Sequence, residues 1–284
     1  MNRICVMLAV LVLLPASESL AQVEPVDQQV IARIKVEGLQ NGQGMETLQY
    51  LTDVIGPRLT GSPNLKEAGE WARDTMTEWG LENAALEPWG EFGRGWSVKR
   101  FSVEMTEPQY QNLLAYPKAW TPGSKGKIKG TPVFTNISDA SDFEQYRGKL
   151  KGKIVMNGYP EEPDPHFTPD ATRQTEESLA SRAEVLSPGG SSSYAALQSR
   201  MSTFRGRFRA VRYFFKEEGV AAFIEPSGRD HGVLRVGAHG PYKTDEDDTY
   251  PAFVMAKSHY GRIVRLLERD IPVELELNLD TQFH

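Results

Sequence analysis

A single cysteine, Cys5, stands in the 284 residues, so the chain can build neither an internal disulfide nor a cysteine-based zinc site. Basic residues are not in excess. Thirty-two Lys and Arg against 38 Asp and Glu leave a formal charge of −6, which excludes the electrostatic footprint of a nucleic-acid-binding protein. Histidine is scarce: His166, His231, His239, His259 and His284 are the full set, and none sits in an H-x-x-x-H, H-x-D or H-E-x-x-H arrangement. Zinc sites draw on such close pairs of ligands held on rigid elements. No G-x-G-x-x-G, Walker or G-x-S-x-G motif occurs, so no dinucleotide loop, P-loop or serine elbow is legible. Beyond residue 14 no apolar run approaches the ~20 residues that a transmembrane helix needs. The 25 glycines and 18 prolines follow no period, which excludes collagen-like architecture.

What is present begins with an address. Arg3 supplies a basic start, Ile4 to Leu14 is unbroken apolar sequence, and Ser19 and Ala21 are small residues at the −3 and −1 positions of a cleavage site. This pattern predicts a signal peptide over 1–21 and a secreted or periplasmic chain after cleavage near Ala21.

Two blocks follow, 22–120 and 121–284, joined by the turn-rich run Thr121-Pro122-Gly123-Ser124-Lys125-Gly126. In the first, Val30, Ile31, Ile34 and Val36 predict a helix over 26–38, and Met45, Leu48, Leu51 and Ile55 predict another over 45–54. Ser62-Pro63 reads as a helix start, and Leu65, Ala68, Ala72, Met76 and Trp79 recur on one helical face up to Gly80. Strands are expected over 82–87, 96–105 and 110–116, the middle one with Phe101, Val103 and Met105 on one side. In the second block, strands are expected at 131–136, 153–157, 220–225, 252–255 and 273–280. Helices are expected at 143–147, around Phe204, Phe208, Val211 and Phe215, and over 258–269. Residues 159–203 read as a long polar, turn-rich loop. Alternation of strands and helices predicts an α/β (α+β) fold.

Few constellations offer chemistry. Asp230-His231 with His239 is the nearest approach to a metal set, but its spacing suits a polar loop between strands better. Asp245-Glu246-Asp247-Asp248 lacks the loop glycine and distal glutamate of a calcium loop and reads as a solvated acidic turn. Ser191-Ser192-Ser193 reads as linker. The six basic residues from Arg200 to Lys216 read as the solvated face of a helix whose buried stripe is Phe208, Val211 and Phe215. No catalytic, cofactor-binding or metal-ligating residue is assigned.

The run from Leu51 through Gly56-Pro57-Arg58-Leu59-Thr60-Gly61-Ser62-Pro63, with Glu78-Trp79-Gly80-Leu81 after it, resembles the opening of exported zinc exopeptidases related to plasma glutamate carboxypeptidase (carboxypeptidase Q) and bacterial aminopeptidases. Trp96-Ser97-Val98 and Tyr116-Pro117-Lys118-Ala119-Trp120 resemble the same group. Gly148 to Val155 and Lys216 to Ala222 are similar to a protease-associated domain. The resemblance implies an incomplete exopeptidase domain start followed by a protease-associated, β-rich α/β domain. It implies that the two-zinc site and its catalytic glutamate, on an H-x-D motif and further ligands, come after this insertion. No zinc is therefore expected on this chain, whose expected partners are a peptide substrate or a separate catalytic segment, with no nucleic acid and no membrane span. A non-catalytic binding module is the alternative. The block 121–280 is expected to fold alone, and the face of Leu65 to Trp79 to lack its partner surface.

Overall fold

The computed structural model describes residues 26–284 apart from 163, 164, 166, 168, 170, 184–191, 247 and 248. The expected leader with Cys5, and also His166 and Ser191, lie outside the described residues. The chain divides into two compact units, 1–54 and 55–284. The first contains α1 (Gln28–Gln40), started by Asp27, whose carboxylate accepts from the backbone N–H of Gln29 and Val30 at 2.8 and 3.2 Å. It continues with α2 (Gly44–Gln49), which runs into a π-helical turn at Tyr50–Ile55. No residue of the apolar stripe predicted for α1 is fully buried: Ile31 is half-buried and Ile34 is 64% exposed.

In the second unit α3 (Pro63–Glu78) begins as its sequence dictates. Ser62 accepts from the Leu65 N–H, and proline occupies the first turn, where its missing N–H costs nothing. Of the predicted stripe only Ala68 is buried, while Trp79 stays 55% exposed. Residues 82–87, expected as a strand, form no strand and lead through turns to β1 (Trp96–Glu107).

The strands β1, β2 (Gln111–Asn112), β4 (Lys127–Gly130) and β9 (Glu274–Phe283) form an antiparallel sheet in the order β2-β1-β9-β4. The second sheet has the order β3-β8-β7-β6-β5. It contains β3 (Ala115–Pro117), β5 (Pro132–Thr135), β6 (Ile154–Asn157), β7 (Ala222–Pro226) and β8 (Ala252–Met255). β5 to β8 run parallel, and β3 is antiparallel to β8. The α/β fold class is thus as expected.

The boundary expected at 120/121 does not separate the sheets. β1 and β3 from the first block pair with β9 and β8 from the second. The reason is physical: β9 is buried at Leu275, Leu277 and Leu279, and its longest ladder is with β1. The phase of β1 also departs from simple alternation. A register shift between Val98 and Arg100 lets Trp96 and Val98 face inward on one side of it and Phe101, Val103 and Met105 on the other.

The main core lies between the two sheets and α7 (Lys257–Leu267). Val103, Met105, Leu275 and Leu277 meet Ile154, Met156, Ile224, Phe253 and Met255, with Tyr260 and Ile263 from the helix. A second core covers the other face of the parallel strands, where Val155 and Phe223 meet Phe214, Phe215 and Leu150. Strands buried on both faces read as continuous apolar runs, which explains Ile154-Val155-Met156 and Ala252-Phe253-Val254-Met255. The helix α4 (Phe143–Tyr146) lies on this side, with Phe143 stacked on Phe214 at 4.2 Å. The segment expected as a 159–203 loop instead contains α5 (Glu176–Ala183) and the first turns of α6 (Ser192–Glu218). Small polar residues concealed that helix start, since they lower intrinsic propensity without preventing a helix that packs downstream.

Candidate functional site

Three of the stretches that carry the family resemblance, around 57–64, 96–98 and 116–120, line one cleft. Pro57, Leu59, Ser62 and Asn64 line one wall of an apolar cleft of about 520 Å³, and Trp96, Val98, Tyr116 and Trp120 line the other. Backbone geometry explains the motif. Gly61 has φ +77°, and a Cβ on Gly95 would lie 1.9 Å from the Gly61 carbonyl oxygen. Asn64 donates to the Ile55 carbonyl at 2.5 Å, which fixes the turn between the π-helical segment and α3. Trp96 donates from its indole to the Thr121 carbonyl at 2.8 Å, and Trp120 to the Arg94 carbonyl at 2.9 Å. The motif is therefore a clamp that closes the loop 56–64 onto the start of β1.

A second, larger cleft of about 780 Å³ lies at the carboxyl ends of β6 and β7, beside the N-terminus of α7. Ligands in parallel α/β sheets gather at this edge. Its walls carry charges of both signs: Glu161, Asp230 and Glu268 against Arg229, Lys257 and Arg265. Lys257 reaches Asp230 at 3.0 Å and Glu161 at 3.6 Å, and its hydrogen bond to Asp230 raises its pKa from the ordinary lysine value. Ser227 ties down the adjoining loop by donating to the Val233 carbonyl at 2.7 Å, and His231 turns it with φ +55°.

The third pocket, of about 370 Å³, lies between α6 and the parallel sheet. His239 is 2% exposed there, with its ring stacked on Phe223 at 5.6 Å and meeting Tyr250 edge-on at 4.9 Å. Neither ring nitrogen has a hydrogen-bond partner among the described residues. Burial, then the nearby Lys118 and Arg212 cations, push its pKa well below the ordinary histidine value, so it is neutral. Arg212 donates to the His239 carbonyl at 2.5 Å, while its Nε has no hydrogen-bond partner among the described residues. Lys118, 3% exposed, contacts Glu225 at 2.5 Å and lies 5.1 Å from the Phe208 ring.

The structure thus separates the residues considered together for a metal. Asp230 and His231 line the large cleft, whereas His239 is buried in the third pocket. His259 accepts the Leu114 N–H at 2.8 Å, and His284 lies 2.9 Å from the Ser97 hydroxyl. Among the described residues no group of three or more His, Asp, Glu or Cys is placed to hold a metal ion. His239, whose two ring nitrogens lack partners among the described residues, has the Lys118 and Arg212 cations nearby, and Glu225, the carboxylate that lines the same pocket, is paired with Lys118. Asp245 and Glu246 are described, and Asp247 and Asp248 lie outside the described residues. The basic run 200–216 is not wholly a solvated face, because Arg207 and Arg212 line the third pocket. Spacing did not disclose this, since the partners that enclose Arg212 come from β7 and the loop 239–250. No described helix is long and apolar enough to cross a membrane.

No family model matches the chain. Among curated proteins it is similar to carboxypeptidase Q of Bos taurus, 38% identical over 136 residues, which cover 46% of this chain and 27% of that protein. Carboxypeptidase Q of Mus musculus is 37% identical over 153 residues, covering 50% of this chain and 30% of that protein. The matched part therefore spans under a third of these relatives' length. A solved structure of a peptidase M28 precursor from Shewanella amazonensis, 19% identical, superposes with a TM-score of 0.56 over 90% of this chain and 51% of that one. About half of this chain is thus homologous to carboxypeptidase Q, and its fold is similar to that of about half of a peptidase M28 precursor.

Proposed function

We propose that this chain is the N-terminal and protease-associated portion of a secreted zinc-dependent exopeptidase, of aminopeptidase or carboxypeptidase type, which hydrolyses peptide bonds. By itself it is inactive, and the metal-bearing segment is its partner. The observation that carries the reading is the similarity to carboxypeptidase Q, with three of the resembling stretches, around 57–64, 96–98 and 116–120, lining one apolar cleft. Exposed apolar side chains support it: Met76, Trp79 and Leu81 at the end of α3, and Trp89, 87% exposed, in the following turn. Surfaces of this kind mark protein-protein contacts. The role of these residues is to present a rigid docking face, held by the Gly61–Gly95 clamp, and to bind substrate rather than cleave it. Zinc in such enzymes polarises the scissile carbonyl and activates water. The residues described here do not supply its ligands. The signal-like pattern of 1–21 supports export, with a mature N-terminus at Gln22.

The test is co-expression with the segment of bovine carboxypeptidase Q that follows its matched stretch. Association, hydrogen-exchange protection at the end of α3 and gain of peptide hydrolysis are expected. Absence of association with that segment would favour a second reading, a non-catalytic protease-associated module. The observation behind that alternative is the mixed-charge cleft at the carboxyl edge of the sheet, which suits the charged ends of a peptide.

A further inference from the structure

The pocket under α6 holds unspent hydrogen-bonding capacity beside a group of aromatic rings. His239 is fully enclosed, and its two ring nitrogens lack partners among the described residues. Buried polar groups in native proteins are nearly always paired, so an unpaired pair of atoms on one ring calls for an occupant. Arg212 adds a second orphan, its Nε, from the facing helix. A neutral imidazole offers one N–H donor and one acceptor nitrogen. Together the pocket presents two N–H donors, from His239 and Arg212, and a net positive surround. Arg207, Arg212 and Lys118 outnumber Glu225, and Glu225 is already engaged by Lys118. Four rings, Phe208, Phe215, Phe223 and Tyr250, line it together with Ile137 and Val211, and Ser138 and Asn157 add polar groups at the wall.

From this geometry we infer that the pocket binds a small carboxylate with a flat apolar body, the carboxylate accepting from Arg212 Nε and the His239 ring N–H and the body lying between Phe208 and Phe215. The volume of about 370 Å³ is at the small end of the range for ligand sites. A carboxylate suits the two donors because its oxygens accept in a forked geometry and its charge answers the surplus of cations. Phe208 lines the pocket while staying 37% exposed. The same chemistry has two sources, a free aromatic acid or the C-terminal carboxylate of a peptide ending in phenylalanine. This inference stands apart from the exopeptidase reading, since its two donors, His239 and Arg212, and its rings lie outside the cleft lined by the motif.

The experiment is calorimetric titration of the full chain with 3-phenylpropionate and, separately, with a short peptide ending in phenylalanine. The neutral 3-phenylpropionamide is the control. The imidazole resonances of all histidines are followed by NMR. Saturable binding of at least one carboxylate is expected, with the amide weaker by about ten- to a hundredfold, the worth of a hydrogen bond to a charged group. The His239 resonance should move while those of His231, His259 and His284 stay. Whichever acid binds tighter identifies the source. Arg212→Met and His239→Phe should each weaken binding about tenfold or more. Where Arg212→Met does not fold, Arg212→Lys keeps the charge, removes the Nε donor and should show the same loss. No saturable binding by the unaltered chain would overturn the inference, as would equal affinity for acid and amide. So would a ligand response at His231 in place of His239.

Discussion

Val103 lies opposite Leu277 in the ladder that joins β1 to β9, and both side chains are buried against the parallel sheet. Residues from the two ends of the second unit thus complete one core, whose other members are Ile154, Ile224 and Phe253 from its middle.

Leu277→Ala should therefore destabilise the whole second unit, by about 2–5 kcal/mol for a fully buried leucine. Denaturant unfolding followed by hydrogen exchange is expected to show β1, β7 and β8 losing protection in one transition. Retained protection of β7 and β8 while β1 opens would mean that the two sheets are separate folding units.

Lys118 is an almost fully buried ammonium whose carboxylate partner is Glu225. Glu225→Gln leaves that charge uncompensated and should cost about 3 kcal/mol, the lower end for a broken buried pair. Adding Lys118→Met to it should recover part of the loss. A double-mutant cycle measures the coupling, and additive losses would show that the pair contributes nothing specific.

Burial holds His239 neutral with its pKa well below the ordinary value, so the unfolded chain binds a proton that the folded chain does not. The sign follows: this group's contribution is full above the unfolded value of about 6.5 and is lost as pH falls below it, by up to about 1.4 kcal/mol per unit until the folded pKa is reached. Urea midpoints at pH 7.5 and pH 5, read as roughly neutral and mildly acidic conditions about this titration, should differ less in His239→Phe than in the unaltered chain. Equal pH slopes in the two proteins would show that His239 is protonated when folded.

Met76 and Trp79 on α3 contribute little to the folded unit, being 44% and 55% exposed. Met76→Ser with Trp79→Ser should change stability by no more than about 0.5 kcal/mol per site, the usual range for surface positions. The same change should abolish association with a catalytic segment. A large loss of stability in thermal melts would instead place these residues in a core of the chain itself.

Much of this architecture was legible in local signals. Ser62-Pro63 announced α3, and the apolar runs at 154–156 and 252–255 announced strands buried on both faces. The phase of β1 was not, because a bulge between Val98 and Arg100 leaves no mark in an alternating sequence. Helix periodicity correctly located α3 but overstated its burial, since periodicity reports a face that suits burial and not whether a partner is present. The block boundary at 120/121 followed a turn-rich linker, yet turn residues also serve connections inside one core, as Thr121 does by donating to the Tyr250 carbonyl at 2.7 Å. The third pocket left no sequence signal, since His239, Arg212 and Lys118 meet only through the tertiary fold.

The central claim is that these residues form the non-catalytic portion of an exopeptidase. It is tested most directly by metal analysis of the purified chain together with a peptide-hydrolysis assay, with and without a chelator. The account predicts no stoichiometric zinc and no hydrolysis by the chain alone, because no described cluster of His, Asp and Glu is spaced to hold the metal. Stoichiometric zinc accompanied by hydrolysis that the chelator abolishes would contradict it.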